Sequence, residues 1–301
     1  MALLFRLEKM EIIVAENSGL CYGVKRALQI AQSTRRRRSG RVLTLGEIIH
    51  NPRVIADLQK KGIEAVEDPD AIPGGTVIIR SHGVAPEVYK TLKKQRLEVI
   101  DATCPIVKKI QKLVAALTRR GEEIIIVGNP EHPEIKGLIG YSRGRGKIVE
   151  NEDQARCLPS RKRRTVLAQS TQDLYLFGRV VAALLERTGE LTVHNTICQF
   201  TQTRQRSTSE LAARVDTLFI VGGKNSSNTN RLFQVSKRVL ANTHFIENAS
   251  QITPRLLKGA KRIGISGGAS TPPEAIEEAV ARIRESIERQ SHREIISQWQ
   301  S

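Results

Sequence analysis

Short β-branched runs recur along the chain, and amphipathic stretches fill the gaps between them. The runs are EIIVA at 11–15, VLTL at 42–45, IEAV at 63–66 and TVIIR at 76–80 in the first third. The middle third has EVI at 98–100, EIIIV at 123–127, KIV at 147–149 and TVLAQ at 165–169. The last third has LTV at 191–193, TLFIV at 217–221, THFI at 243–246 and RIGIS at 262–266. Each reads as a strand. Between them lie helical patterns. Pro105 suits a first helical turn, Ile106, Val107, Ile110, Leu113, Val114 and Leu117 then share a face, and Gly121 ends the segment. A last helix starts near Pro272 and Pro273 and carries Ile276, Val280, Ile283 and Ile287 on one side. Strands alternating with helices imply an α/β fold with mainly parallel sheets and right-handed crossovers. The pattern predicts three pseudo-threefold-related lobes, each a four-stranded sheet with flanking helices. They span 1–97, 98–190 and 191–290, followed by a polar tail at 291–301.

Three cysteines occupy one local frame within this repeat. Cys21 lies in VAENSGLCYGVKRA, Cys104 in EVIDATCPIVKKI and Cys198 in LTVHNTICQFTQTRQ. Each follows a β-branched run and a small polar turn, and each precedes a helical stretch. Structural zinc favours cysteine pairs at short spacing, and the chain has none. Three isolated thiolates fit an iron–sulfur cluster better, with one iron left open as a Lewis acid. The fourth cysteine, Cys157, lies in NEDQARCLPS, outside the frame, and is read as a bystander.

Ligands of parallel sheets bind beyond the carboxyl ends of the strands. At those ends stand LGEIIHN with His50, VGNPEHPEIKG with His132 and VGGKNSSNTNRL with Asn228. Further on come IRSHGVAPE with His82, LAQSTQD with Ser170 and ISGGASTPPE with Ser270. Imidazoles, hydroxyls, amides and backbone N–H groups ahead of helices suit a phosphate or diphosphate. Glycines in VGGKNSSN and SGGAS let backbone approach an anion closely. Glu134 is the carboxylate in this set placed for proton transfer, and enclosure would raise its pKa.

Charge adds one feature. The 301 residues carry a formal net charge of +17 with only 4% aromatics. Basic runs stand at Arg35–Arg38 and Arg161–Arg164, and are read first as solvated loops. The sharper alternatives are docking to nucleic acid, anionic lipid or an acidic electron carrier. Aromatics do not interleave with the runs, which argues against a base-stacking surface. No apolar run is long enough for a membrane helix, and MALLFRLEKM has no signal-peptide design. Residues 1–9 are read as a leader or misplaced start, since Met10 directly precedes the first strand. Cysteines without paired spacing fit a reducing compartment, so a cytoplasmic location is expected.

The motifs GLCYGV, EIIHN, RSHGV, DATCP, EHPEIKG, AQST, KNSSNTNRL and SGGAST, in this order, resemble the 4-hydroxy-3-methylbut-2-enyl diphosphate reductases. The resemblance runs from about residue 11 to about residue 285. It implies one [4Fe–4S] cluster held by Cys21, Cys104 and Cys198, with the open iron facing the substrate hydroxyl. It implies two-electron reductive dehydroxylation of an allylic diphosphate to isopentenyl and dimethylallyl diphosphates, the last step of the non-mevalonate isoprenoid pathway. By motif position His50, His82, Ser226, Ser227, Asn228 and Ser270 hold the diphosphate, with His132 nearby. Glu134 matches the proton donor, and Ser170 matches a position often occupied by threonine that contacts the substrate hydroxyl. The expected electron donor is an acidic ferredoxin- or flavodoxin-like protein, and no stable nucleic-acid partner is expected. Two rival readings are an open-iron hydro-lyase, active without a donor, and a basic iron–sulfur nucleic-acid-binding or sensor protein.

Overall fold

The computed structural model describes residues 3–7 and 10–299, with side chains for 10–289. Residues 1, 2, 8 and 9, part of the segment read as a leader, and 300–301 lie outside the described residues.

Among the described residues the strands are β1 (Leu3–Leu7), β2 (Met10–Val14), β3 (Val42–Leu45), β4 (Ile63–Val66), β5 (Thr76–Ile79), β6 (Glu98–Asp101), β7 (Ile124–Val127), β8 (Lys147–Val149), β9 (Arg161–Ala168), β10 (Thr188–His194), β11 (Thr217–Val221), β12 (Thr243–Ile246) and β13 (Arg262–Gly267). They form three sheets, ordered β4-β3-β5-β6, β8-β7-β9-β10 and β12-β11-β13-β2-β1. All pairings are parallel except the antiparallel β1–β2 pair. The three orders are one pattern. Counting strands within a sheet, each runs 2-1-3-4, with the N-terminal β2 serving as fourth strand of the last sheet.

The two inner strands of each sheet explain the β-branched runs. β3, β5, β7, β11 and the second half of β9 are buried at every position, because helices cover both faces. Alternate residues then feed different cores. Ile125, Val127, Val166 and Ala168 pack with Phe177, Val180 and Leu184. Ile124, Ile126 and Leu167 pack with Ile110, Val114, Leu117, Ile135 and Leu138 from the other side. The same division holds in the first sheet and in the last.

The lobe boundaries differ from those read in the sequence. β6 pairs with β5 and β10 with β9, so the expected divisions at 97/98 and 190/191 each fall one strand early. The physical reason is the helix after each cysteine. Helix Pro105–Arg119 buries Ile110, Val114 and Leu117 against β7 and β9, not against the sheet that contains β6. The chain therefore changes sheet at the cysteine, not before the preceding strand. Two compact units result: residues 22–202 hold the first two sheets, and residues 1–21 with 203–301 hold the last. Of the expected tail at 291–301, residues 291–299 continue the final helix, Pro273–Trp299, since Arg, Glu and Gln there are good helix formers.

The run Arg161–Arg164 is strand, not loop, and its three arginines are ion-paired. Arg161 and Arg164 pair with Glu123 at 3.1 and 3.4 Å, and Arg163 pairs with Glu190 at 2.6 Å. The Arg164 side chain is buried, with Nη1 donating to Arg187 O and Thr188 Oγ1, each at 3.2 Å. In the other run Arg38 binds Glu98 with two nitrogens. No helix of the described residues is long and apolar enough to cross a membrane.

Candidate active site

In a 2-1-3-4 sheet the helices that follow strands 1 and 3 leave toward opposite faces, opening a crevice at the strand ends. That split is visible here: Leu58 after β3 and Leu92 after β5 enter different cores, as do Leu138 and Phe177 in the second sheet. Every polar loop singled out in the sequence leaves strand 1 or strand 3 of its sheet. Every framed cysteine leaves strand 4.

Three hydrogen bonds tie these two sets together. The amide of Cys104 donates to Ser81 O at 2.9 Å, that of Cys198 to Ser170 O at 2.9 Å, and that of Cys21 to Ala269 O at 3.0 Å. The turn before each cysteine is also built alike. Asp101 Oδ1 accepts from Thr103 N–H at 2.8 Å and Asn195 Oδ1 from Ile197 N–H at 3.2 Å. Ser18 Oγ donates to Ala15 O at 2.8 Å. Asp, Asn or Ser three residues before each cysteine is thus a turn-forming device. None of the three cysteines forms a disulfide, all are half-buried, and each precedes a helix: Tyr22–Arg37, Pro105–Arg119 or Gln199–Ala212. A helix N-terminus favours an anionic group. Cys157 is exposed, at the C-terminus of helix Glu152–Arg156.

Within residues 22–202, His50, His82 and His132 converge. The His50 and His82 rings stack with centroids 4.5 Å apart, and His132 meets their edges at 5.9 and 5.2 Å. One nitrogen from each lies within 4.8 Å of the others. The bond made by His132 limits what such a trio can bind. His132 Nδ1 accepts the Glu134 N–H at 3.2 Å. The neutral ring must then carry its proton on Nε2, so it offers a donor and not a metal-binding lone pair. His50 Nδ1 lies 3.2 Å from Glu47 Oε2. The trio therefore suits an anion better than a metal ion. Burial first, then His50 and Arg80, pushes the His132 pKa down to about 3. Burial, His50, His132 and Arg80 hold His82 well below the usual histidine range.

Glu134 stands beside them in the first turn of helix Pro133–Tyr141 and is 1% exposed. Ser170, at the end of β9, donates its amide to Glu134 Oε1 at 2.7 Å and its hydroxyl to Oε2 at 2.6 Å. Burial raises the Glu134 pKa despite these two bonds.

The other unit carries a second polar set. Ser226 caps helix Ser227–Val239 by accepting the Thr229 N–H at 3.3 Å, and Ser270 Oγ lies 3.4 Å from Ser226 Oγ. Asn228 is 4% exposed, and its amide oxygen and nitrogen have no partner among the described residues. Two unsatisfied buried polar atoms at a helix N-terminus mark a place built for a ligand. The loops approach closely because Gly268 lacks a side chain, whose Cβ would lie 2.0 Å from Thr229 Oγ1.

Sequence reasoning missed several supporting residues. Arg204 is buried and donates Nε to Asn17 O and Nη2 to Gly19 O, each at 2.7 Å, bracing the turn before Cys21. Arg26 Nη1 donates to Thr103 O at 3.2 Å, beside Cys104. Both follow a cysteine by five or six residues, a repeat that was legible in the chain. Arg80 has no such signature; it adds a cation near the histidines through its position after β5.

Comparison with known proteins gives a consistent result. The family model described as LytB protein matches residues 12–284. The 4-hydroxy-3-methylbut-2-enyl diphosphate reductase of Aquifex aeolicus is 44% identical over 93% of this chain and 98% of its own. That of Citrifermentans bemidjiense is 44% identical over 91% and 97%. A solved (E)-4-hydroxy-3-methyl-but-2-enyl diphosphate reductase, described as the terminal enzyme of the non-mevalonate pathway, is 42% identical with a TM-score of 0.67, covering 91% of this chain and 99% of that one. The E-1-hydroxy-2-methyl-but-2-enyl-4-diphosphate reductase from Plasmodium falciparum is 25% identical with a TM-score of 0.86, covering 91% and 88%. Matched almost from end to end, with its cysteine, histidine and glutamate loops inside the matched span, the chain belongs to the LytB protein family.

Proposed function

We propose that the chain is a 4-hydroxy-3-methylbut-2-enyl diphosphate reductase. It replaces the substrate's allylic hydroxyl with hydrogen, consuming two electrons and two protons and releasing water. The products are isopentenyl and dimethylallyl diphosphates. The observation that carries this reading is the Glu134 carboxyl: buried, raised in pKa, and held at both oxygens by Ser170 next to a histidine trio suited to an anion.

Each residue then has a role. His50, His82, His132, Ser226, Ser227, Asn228 and Ser270 bind the diphosphate. Glu134, whose pKa burial raises, delivers a proton as the C–O bond breaks. Ser170 orients that carboxyl and offers its hydroxyl to the substrate's own hydroxyl. Cys21, Cys104 and Cys198 would hold one [4Fe–4S] cluster. The donor set fits: three half-buried cysteines outside any disulfide, at equivalent strand-to-helix turns, each with its amide already bonded. When bound, the cluster supplies electrons and a Lewis-acidic iron. The electrons come from an acidic ferredoxin- or flavodoxin-like protein in the cytoplasm.

The test is an anaerobic assay with the hydroxylated diphosphate and reduced methyl viologen. Formation of both five-carbon diphosphates supports the reading. Turnover without any reductant would assign a hydro-lyase instead, and no turnover with the reconstituted protein would exclude the reductase.

A further inference from the structure

We propose that the face over the Cys104 turn, formed by Tyr22, Lys25, Lys109 and Lys112, is where an acidic one-electron carrier protein docks. The proposal rests on the reductase reading. It starts from Gly23, where an added Cβ would lie 2.6 Å from Cys104 Sγ. The first turn of helix Tyr22–Arg37 therefore lies directly on that sulfur, and Arg26 fastens it there through Thr103 O. Tyr22, the neighbouring residue, is 57% exposed. A large apolar ring in solvent one residue from a thiol contact puts the surface close to the electron-accepting group. Electron transfer falls steeply with distance, so a carrier must approach at such a place.

The charge around it selects the partner. Lys25 is three residues from Tyr22 and on the same helix face. Lys109 and Lys112 share a face of helix Pro105–Arg119, which begins at Cys104. All three lysines are exposed, and none forms an ion pair with a described residue. Neither helix contains an Asp or Glu, although a first turn normally gains from one. In the basic runs only some charges meet a carboxylate: Arg38 meets Glu98, Arg161 and Arg164 share Glu123, and Arg163 meets Glu190. Lys25, Lys109 and Lys112 thus contribute exposed positive charge on the two helices that meet at this thiol. An apolar centre with unpaired cations around it fits a transient complex with an acidic protein, in which charge sets the encounter rate and orientation. Each visit oxidises one reduced carrier and delivers one electron, so two visits supply one turnover.

The experiment compares the holoenzyme with the triple variant Lys25→Glu/Lys109→Glu/Lys112→Glu. Two donors are used: a reduced plant-type [2Fe–2S] ferredoxin and reduced methyl viologen. The KM for ferredoxin should rise about tenfold or more, and its dependence on salt should flatten. The viologen-supported rate should hold or rise, because the reduced viologen radical cation no longer meets three lysines. Charge reversal at Arg36 and Arg37, at the far end of a helix about 24 Å long, should leave the ferredoxin KM near its original value. An unchanged ferredoxin KM in the triple variant overturns the proposal. So does an equal loss with both donors, or a larger effect from Arg36 and Arg37. If the triple variant instead loses affinity for a random DNA duplex while its ferredoxin KM holds, the face binds nucleic acid. A native holoenzyme inactive with viologen refutes the reductase reading itself, a result distinct from all of these.

Discussion

Ser170 engages both oxygens of the Glu134 carboxyl, its amide at 2.7 Å from Oε1 and its hydroxyl at 2.6 Å from Oε2. Such bonds favour the charged form, yet burial outweighs them and the pKa is raised. The clamp thus fixes direction more than charge. Glu134→Gln keeps the shape and removes the proton, so turnover should fall by about 10²–10⁴ while inorganic diphosphate affinity holds. Ser170→Ala keeps the amide bond and loses the hydroxyl bond, for a smaller loss of about 10–100-fold. A larger loss of diphosphate affinity than of turnover in Glu134→Gln would sink the proton-donor role.

Stability carries the same signature with a definite sign. A carboxyl whose folded pKa lies above its unfolded value binds more protons when folded. Its ionisation therefore weakens the fold as pH rises from the unfolded value, near 4.5, through the folded one. Glu134→Gln should remove that decline, leaving the apo variant equal to or more stable than the parent at neutral pH. Chemical denaturation at acid and neutral pH measures it. A variant less stable at neutral pH than at acid pH, by the same margin as the parent, would contradict the assignment.

The histidines predict proton uptake. His132, with its pKa pushed down to about 3, and His82 are neutral at pH 7 in the empty pocket. An entering diphosphate adds negative charge that favours the imidazolium form of His82, whose Nδ1 has no partner among the described residues, so its pKa rises on binding, while His132 keeps its Nδ1 bond to the Glu134 N–H. Binding of inorganic diphosphate should consume protons and weaken as pH increases. Calorimetry in buffers of different ionisation enthalpy reads the count directly, and proton release would refute the arrangement.

Much of this was legible in the chain because the inner strands need covering on both faces. VLTL and TLFIV are continuous apolar-rich runs for that reason, and every run read as a strand proved to be one. The cysteine frame was legible because an Asx or Ser turn must precede each helix start. Which sheet a strand joins was not. EVID carries the same pattern whether it opens one sheet or closes another, and only the apolar face of helix Pro105–Arg119 packing on β7 decides it. The run RKRR was also opaque, since its partners Glu123 and Glu190 lie on neighbouring strands and loops distant in sequence. Convergence of His50, His82 and His132 follows from topology more than from local pattern.

Cys157 and Cys104 offer a contrast between an exposed thiol and a framed one. Cys157→Ser should leave the iron content after anaerobic reconstitution unchanged, at about four per chain for a [4Fe–4S] cluster. Cys104→Ser should lower it sharply. Iron lost from the Cys157 variant, or kept in full by the Cys104 variant, would overturn the ligand set.

Arg204 supplies the last prediction. Its two guanidinium bonds hold Asn17 O and Gly19 O in a turn where Asn17 has φ +60° and Gly19 φ +95°. Left-handed backbone at a non-glycine residue costs roughly 1–2 kcal/mol, so the turn needs outside support. The turn ends at Cys21, whose amide is bonded to Ala269 O. Arg204→Lys keeps the charge but cannot satisfy both carbonyls with one fork, and Arg204→Ala removes both bonds. Each bond to a charged group contributes about 1.5–3 kcal/mol, so Arg204→Ala should unfold at lower temperature. If Arg204 also positions Cys21, its variants should show an altered cluster signal in electron paramagnetic resonance and fewer irons per chain, with Lys milder than Ala. A lower melting temperature with an unchanged spectrum and full iron content would reduce Arg204 to a structural brace.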